Sequence, residues 1–151
     1  MSITHDYEVS LNWLTDRKGM MASPELKTII EVATPPEFPK GMPGIWSPEH
    51  LYVAAVSSCL MTTFLAIAEN SKLSFQNFSC AASGKLEMID GKYMMSEVTL
   101  RPEVTLFDDR EKEKAEKVLQ KAEANCLISN SIKSKIIFLP ETKVQEKAYS
   151  A

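Results

Sequence analysis

Between residues 5 and 13 the chain alternates, with Tyr7, Val9, Leu11 and Trp13 on one face and polar neighbours on the other. A period of two is the pattern of a half-buried strand. Asp16, Arg17, Lys18 and Gly19 then read as a turn, residues 20–22 open a second strand, and residues 26–33 (LKTIIEVA) make a third. The Thr and Ile content of that third segment suits a pleated surface. Residues 34–44 hold Pro35, Pro36, Pro39, Pro43, Gly41 and Gly44. Proline lacks a backbone donor and glycine permits unusual dihedrals, so this stretch reads as a loop.

The period changes at SPEHLYVAAVSSCL, residues 47–60. Ser47 suits an N-cap and Pro48 the first helical position. Glu49 falls in the first turn, where the helix dipole favours negative charge. From residue 51 to 68 apolar and small residues occupy every face. The expectation is a central helix over 47–72, buried on all sides. Residues 75–88 and 93–107 read as two long strands within a 74–107 hairpin, joined at Asp90-Gly91. Arg101-Pro102 either kinks the second strand or marks an edge.

Asp108 or Asp109 caps a second helix, and Asp108 with Glu111 has capping-box spacing. Ala115, Val118, Leu119 and Ala122 form an apolar stripe opposite a face of Glu and Lys. Cys126 lies four residues beyond Ala122 and continues the stripe if the helix persists through the 108–130 region. Residues 131–139 (SIKSKIIFL) read as the final strand of a closing 131–142 segment, and the polar tail 143–151 is expected to be loose. Strands, a long apolar helix, a hairpin, an amphipathic helix and a strand make an α+β pattern, with antiparallel sheet wrapping helices. One domain over 1–151 is expected, its strands and Pro-rich loop filling 1–45.

Composition narrows the function. The 151 residues are 44% hydrophobic and 25% charged, enough for one domain with a sizeable core. A net charge of -3 gives no phosphate-binding footprint, so nucleic acid is not an expected partner. Ser57, Ser58, Thr62 and Thr63 interrupt the apolar run, which reads as a soluble core helix rather than a membrane span. The alternating N-terminus lacks the charged start and apolar run of a secretory leader. Cys59, Cys80 and Cys126 are odd in number, which argues against a disulfide framework. Without a CxxC, and with only His5 and His50, a zinc site of the usual kind is hard to assemble.

The remaining chemistry is sulfur chemistry. Cys59 and Cys126 fall on the inner faces of two helices, 67 positions apart. Free cysteine is often a small buried hydrophobe, and Cys80 in FSCAAS is assigned to packing. A functional pair needs a thiolate, and a buried thiolate is costly without a nearby cation. Arg17, beside Lys18, offers one; a basic turn is also commonly just solvated. Glu49 either orients an arginine through a bidentate pair or simply complements the dipole. His50 reads as a helix-surface residue rather than a base.

SPEHLYVAAVSSCL resembles the helix-opening motif of the OsmC/Ohr family: a Pro-Glu pair, then an apolar run reaching a cysteine ten positions beyond the glutamate. EANCLISNSI resembles its second motif, a cysteine at the end of the other helix followed by a short polar turn. Order and spacing agree over nearly the whole chain. The departures mark a divergent branch. There is no histidine before Cys126 and no proline after it, and the loop before the helix reads Gly44-Ile45-Trp46-Ser47.

The resemblance implies an OsmC-like fold in an intertwined homodimer, with each active site at the subunit interface. It implies a cysteine-based peroxidase that reduces organic hydroperoxides. Cys59 would be the peroxidatic cysteine and Cys126 the resolving one, forming a transient disulfide. Glu49 would hold the arginine that stabilises the thiolate, for which Arg17 is the best match. Met20, Met21, Trp46, Met61 and Phe64 would line an apolar entrance, though each singly is also explained by packing. No metal, flavin or other cofactor is needed. The partners are the hydroperoxide, a second copy of the chain and an external dithiol or lipoyl-type reductant. Such chemistry fits a reducing cytoplasm. The alternative is a non-catalytic dimer of the same fold that binds a small apolar or thiol-reactive ligand.

Overall fold

The computed structural model describes residues 2–145, which fall into two compact units divided between Leu51 and Tyr52. In the first, β1 (Ser10–Thr15), β2 (Lys18–Ala22) and β3 (Ile30–Ala33) form an antiparallel sheet in that order. The expected first strand over 5–13 is shifted toward the turn. β2 is only five residues long, so its pairing with β1 runs out at Ser10 opposite Ala22. For the same reason β3 is shorter than the expected 26–33; its ladder ends with Met21 opposite Ile30. Tyr7, Val9, Leu11 and Trp13 all remain exposed, so this face of the strand is not half-buried within one chain.

The Pro-rich loop is held by its own backbone. Gly41 N–H donates to Phe38 O at 2.9 Å, and Met42 N–H to Thr34 O at 2.9 Å. A Cβ on Gly41 would lie 2.0 Å from the Pro35 carbonyl oxygen, so this close approach requires glycine. The loop ends on Ser47, which caps α1 (Pro48–Asn70). Ser47 Oγ accepts the His50 N–H at 3.1 Å and lies 2.6 Å from His50 Nδ1. This satisfies a first-turn amide that would otherwise lack a partner.

In the second unit, β4 (Asn77–Ile89) and β5 (Lys92–Leu106) form the long hairpin. Ile89 pairs with Lys92, leaving the two-residue loop Asp90-Gly91 with φ of 50° and 78°. Positive φ at both positions is the geometry that matches strand twist in a hairpin. α1 packs closely on this hairpin: a Cβ on Gly84 would lie 2.6 Å from Val53 Cγ2. Val56, Leu60, Phe64 and Ala68, at four-residue spacing, bury one flank of α1. They meet Val98, Leu100, Val104 and Leu106 of β5, and Ala115, Val118, Leu119 and Ala122 of α2 (Lys112–Ala124). Phe64 stacks on Phe78 at 4.7 Å and meets Phe75 edge-on at 5.3 Å.

α1 is not buried on all sides. Met61 and Leu65 are exposed, because the hairpin and α2 cover only one flank. By length and composition alone this helix is also long and apolar enough to cross a membrane. Its buried stripe packs against the hairpin and α2. α2 carries the expected apolar stripe but begins later than its cap. Asp108 accepts the Arg110 N–H at 2.9 Å and opens a 3₁₀ turn (Asp109–Glu111) instead of a reciprocal box with Glu111.

The sheet is mixed. β6 (Lys135–Phe138) and β7 (Glu141–Val144) both pair parallel with β5, on the side away from β4. The single closing strand is therefore two short ones, and the start of the tail expected to be loose is β7. Residues 146–151 of that tail lie outside the described residues. Pro102 does not mark an edge, since β5 is paired on both sides. It falls between Leu100, the last partner of β6, and Glu103, the first partner of β7, where the ladder on that side is interrupted.

Candidate functional site

Two cysteines separated by most of the second unit meet at the end of α2. Cys59 stands on the buried flank of α1, between Val56 and Leu60. α2 stops at Ala124, because Asn125 turns back to cap it, its N–H donating to Lys121 O at 3.0 Å and its Nδ2 at 2.8 Å. Cys126 therefore lies just past the helix rather than on it, and is fully buried. The chain then folds into a tight turn. Asn130 N–H donates to Cys126 O at 3.0 Å, Ser131 Oγ to Leu127 O at 2.7 Å, and Asn130 Nδ2 to Ala124 O at 3.2 Å.

This turn points successive amides at sulfur. Burial pushes the Cys59 thiol up, but hydrogen bonds outweigh it. The Ile128 N–H, the Cys126 thiol, the Thr63 hydroxyl and the Leu127 N–H all converge on the Cys59 sulfur and bring its pKa below the ordinary thiol value. Thr63 Oγ1 lies 3.9 Å from that sulfur. Cys126 goes the other way. Burial pushes it up, the Ser129 hydroxyl and N–H pull it down, and the hydrogen bond and charge of Cys59 raise it again; the net direction is up. Backbone amides stabilise an anion as a side-chain cation would, without a second charge to desolvate. Cys80 faces its own strand neighbour Ala81, and burial, only partly offset by a backbone hydrogen bond from Arg101, pushes its thiol up.

The other residues singled out from the sequence are placed as follows. Phe64 is inside the aromatic stack of the core, which is the packing reading. Met61 is on the exposed flank of α1. Arg17, Met20, Met21, Trp46 and Glu49 belong to the first unit. Arg17 is exposed in the β1–β2 turn, its carbonyl accepting the Thr34 N–H at 3.3 Å. Met20 and Met21 are half-buried on β2, and Trp46 is exposed beside His50. No ion pair joins Arg17 to Glu49 among the described residues, and Glu49 Oε2 is buried there without a hydrogen-bond partner. His50 is occupied at the helix cap.

Sequence reasoning missed Thr63, Leu127, Ile128 and Ser129. Thr63 carries a legible signal, four positions after Cys59 on the same helix. The others act through a turn whose amide directions no residue type announces. Among the described residues no group of three or more His, Cys, Asp or Glu is placed to hold a metal ion.

Among solved structures, an OsmC-like protein of unknown function from Vibrio cholerae superposes with a TM-score of 0.80 at 23% identity, covering 91% of this chain and 99% of that one. An organic hydroperoxide resistance protein from Elizabethkingia anophelis gives 0.76 at 19% identity, covering 96% and 100%. The Bacillus subtilis organic hydroperoxide resistance protein OhrB gives 0.68 at 18%, covering 91% and 98%. In sequence, the uncharacterized protein YmaD of Bacillus subtilis (strain 168) is 26% identical over 149 residues, covering 93% of this chain and 95% of that protein. The model of the OsmC-like protein family matches residues 41–139. That match takes in α1, the hairpin, both paired cysteines and the turn that joins them, more than half of the chain, and the chain therefore belongs to the OsmC-like protein family.

Proposed function

We propose that this protein is a cysteine-based peroxidase that reduces organic hydroperoxides to alcohols through Cys59 and Cys126. One observation carries the reading: two buried sulfurs hydrogen-bond each other and have their acidities driven in opposite directions. Two titrating groups pushed apart by their surroundings are the signature of divided roles. Membership of the OsmC-like family supports a redox role, and two of the structurally similar proteins are described as organic hydroperoxide resistance proteins.

The Cys59 thiolate attacks the distal oxygen of ROOH. An S–O bond forms, the O–O bond breaks, and the alkoxide leaves and takes a proton as ROH. Cys126 then displaces the sulfenic oxygen as water, giving a Cys59–Cys126 disulfide that an external dithiol or lipoyl-type reductant reopens. Sulfur does all the redox work, so the reading calls for no cofactor, and the cycle suits a reducing cytoplasm. The reading calls for Arg17 to pair with Glu49, a pairing that is absent among the described residues, where Glu49 Oε2 has no hydrogen-bond partner. Met61, on the exposed flank of α1, contributes to an apolar entrance for bulky alkyl groups. A second copy of the chain covers the exposed apolar row Tyr7, Val9, Leu11 and Trp13.

The test is rapid mixing of the reduced protein with cumene hydroperoxide and with hydrogen peroxide, followed by mass spectrometry of the sulfur products. The wild type consumes the organic oxidant faster and ends as the disulfide. Cys59→Ser is inert, and Cys126→Ser accumulates sulfenic acid. No fast reaction in the wild type refutes the reading and returns the protein to the ligand-binding alternative.

A further inference from the structure

The resolving sulfur has its own activating group. Ser129 Oγ donates to Cys126 Sγ at 3.3 Å, and the Ser129 N–H also reaches that sulfur. Ser129 opens a short 3₁₀ turn, and Ile128 before it is helical at φ -68° and ψ -45°. The consecutive amides of residues 127, 128 and 129 therefore divide between two acceptors: the first two serve Cys59 and the third serves Cys126. The Cys126 proton has two acceptors of its own, the Cys59 sulfur and the Val56 carbonyl, 3.9 Å from Cys126 Sγ.

We propose that Ser129 activates the resolving step by hydrogen-bonding the Cys126 sulfur through its hydroxyl, so that Cys126 becomes the nucleophile only after Cys59 has been oxidised. This rests on the peroxidase reading above. While Cys59 is a thiolate, its negative charge and its claim on the Cys126 proton keep Cys126 a thiol, which prevents two adjacent charges in a buried site. Oxygen transfer turns Cys59 into a neutral sulfenic acid. The repulsion disappears, and the two Ser129 donors are left to favour the Cys126 thiolate. That thiolate attacks the Cys59 sulfur: the S–S bond forms, the S–O bond breaks, and the departing hydroxide combines with the proton released from Cys126 as water. The Cys126 sulfur is oxidised and the sulfenic sulfur reduced, with no further oxidant.

The experiment uses the full chain and a limiting amount of cumene hydroperoxide, with rapid quenching and mass spectrometry. It follows separately the species with one added oxygen and the species that has lost two hydrogens. In Ser129→Ala the first phase keeps its rate. The second has its pH midpoint moved up by about one unit, the size expected for one hydrogen bond to a charged group, and because the remaining thiolate is more nucleophilic its rate near neutral pH falls about three- to fourfold. Ser129→Thr, which retains the hydroxyl, restores both. A resolving phase unchanged in Ser129→Ala overturns this proposal and leaves the peroxidase reading intact. So does a slower phase with an unmoved pH midpoint that Ser129→Thr fails to rescue, because a misplaced turn would behave that way. A wild type that forms no sulfenic acid overturns the peroxidase reading, and the resolving step with it.

Discussion

Replacing Cys126 by alanine isolates what the second cysteine does for the first. Four donors converge on the Cys59 sulfur: two amides, one hydroxyl and one thiol. Cys126→Ala removes the thiol and leaves the others. A hydrogen bond to a charged group is worth about 1.5–3 kcal/mol, and a thiol is a weak donor, so the lower end applies. At roughly 1.4 kcal/mol per pKa unit, the Cys59 pKa rises by about one unit. Below that pKa the thiolate fraction falls about tenfold. The remaining thiolate is more basic and intrinsically more nucleophilic, so the reaction with hydroperoxide slows only about three- to fourfold. Cys126→Ser keeps a donor in place and moves the pKa by less than half as much.

The assay is a pH titration of thiolate ultraviolet absorbance on the reduced protein. A Cys80→Ser background leaves Cys59 as the only titrating thiol in Cys126→Ala. Alkylation rates against pH give a second reading of the same pKa. A Cys59 pKa that is unchanged or lower in Cys126→Ala, or equal in the alanine and serine variants, refutes the claim that the Cys126 thiol stabilises the Cys59 thiolate.

Four further outcomes follow from the same geometry. The rate of sulfenic acid formation falls as pH drops through the lowered Cys59 pKa and is flat above it. Because that pKa is depressed by folding, the associated stability is complete above the unfolded thiol value of roughly 8.5 and is lost as pH falls through the folded value; urea unfolding of wild type and Cys59→Ala across that window should diverge toward high pH. Phe64→Ala, which empties the centre of an aromatic stack, costs about 3–5 kcal/mol by urea unfolding; a loss under about 1 kcal/mol with an altered hydroperoxide preference would instead place Phe64 in the substrate entrance. Ser47→Ala removes the α1 cap and the partner of His50 Nδ1, costing about 1 kcal/mol in the same assay; no measurable change would mean that water replaces the cap.

What the sequence determined by itself is local. The apolar stripe of α2, the Asp90-Gly91 turn and the Ser47 cap each depend on neighbours within a few residues, where period and residue type suffice. The two cysteines were legible as chemistry because SPEHLYVAAVSSCL and EANCLISNSI resemble family motifs. Only the tertiary structure decided the rest. β5 pairs parallel with β6 and β7, and Pro102 fits into the changeover between them, because strand partners are chosen across the sheet and not along the chain. The all-round apolar α1 predicts burial everywhere, yet one chain has only enough hairpin and helix to cover one flank. Most of all, the donors that set the two thiols apart are backbone amides of a turn more than sixty residues beyond Cys59. Every residue but proline carries such an amide, and only folding decides where it points.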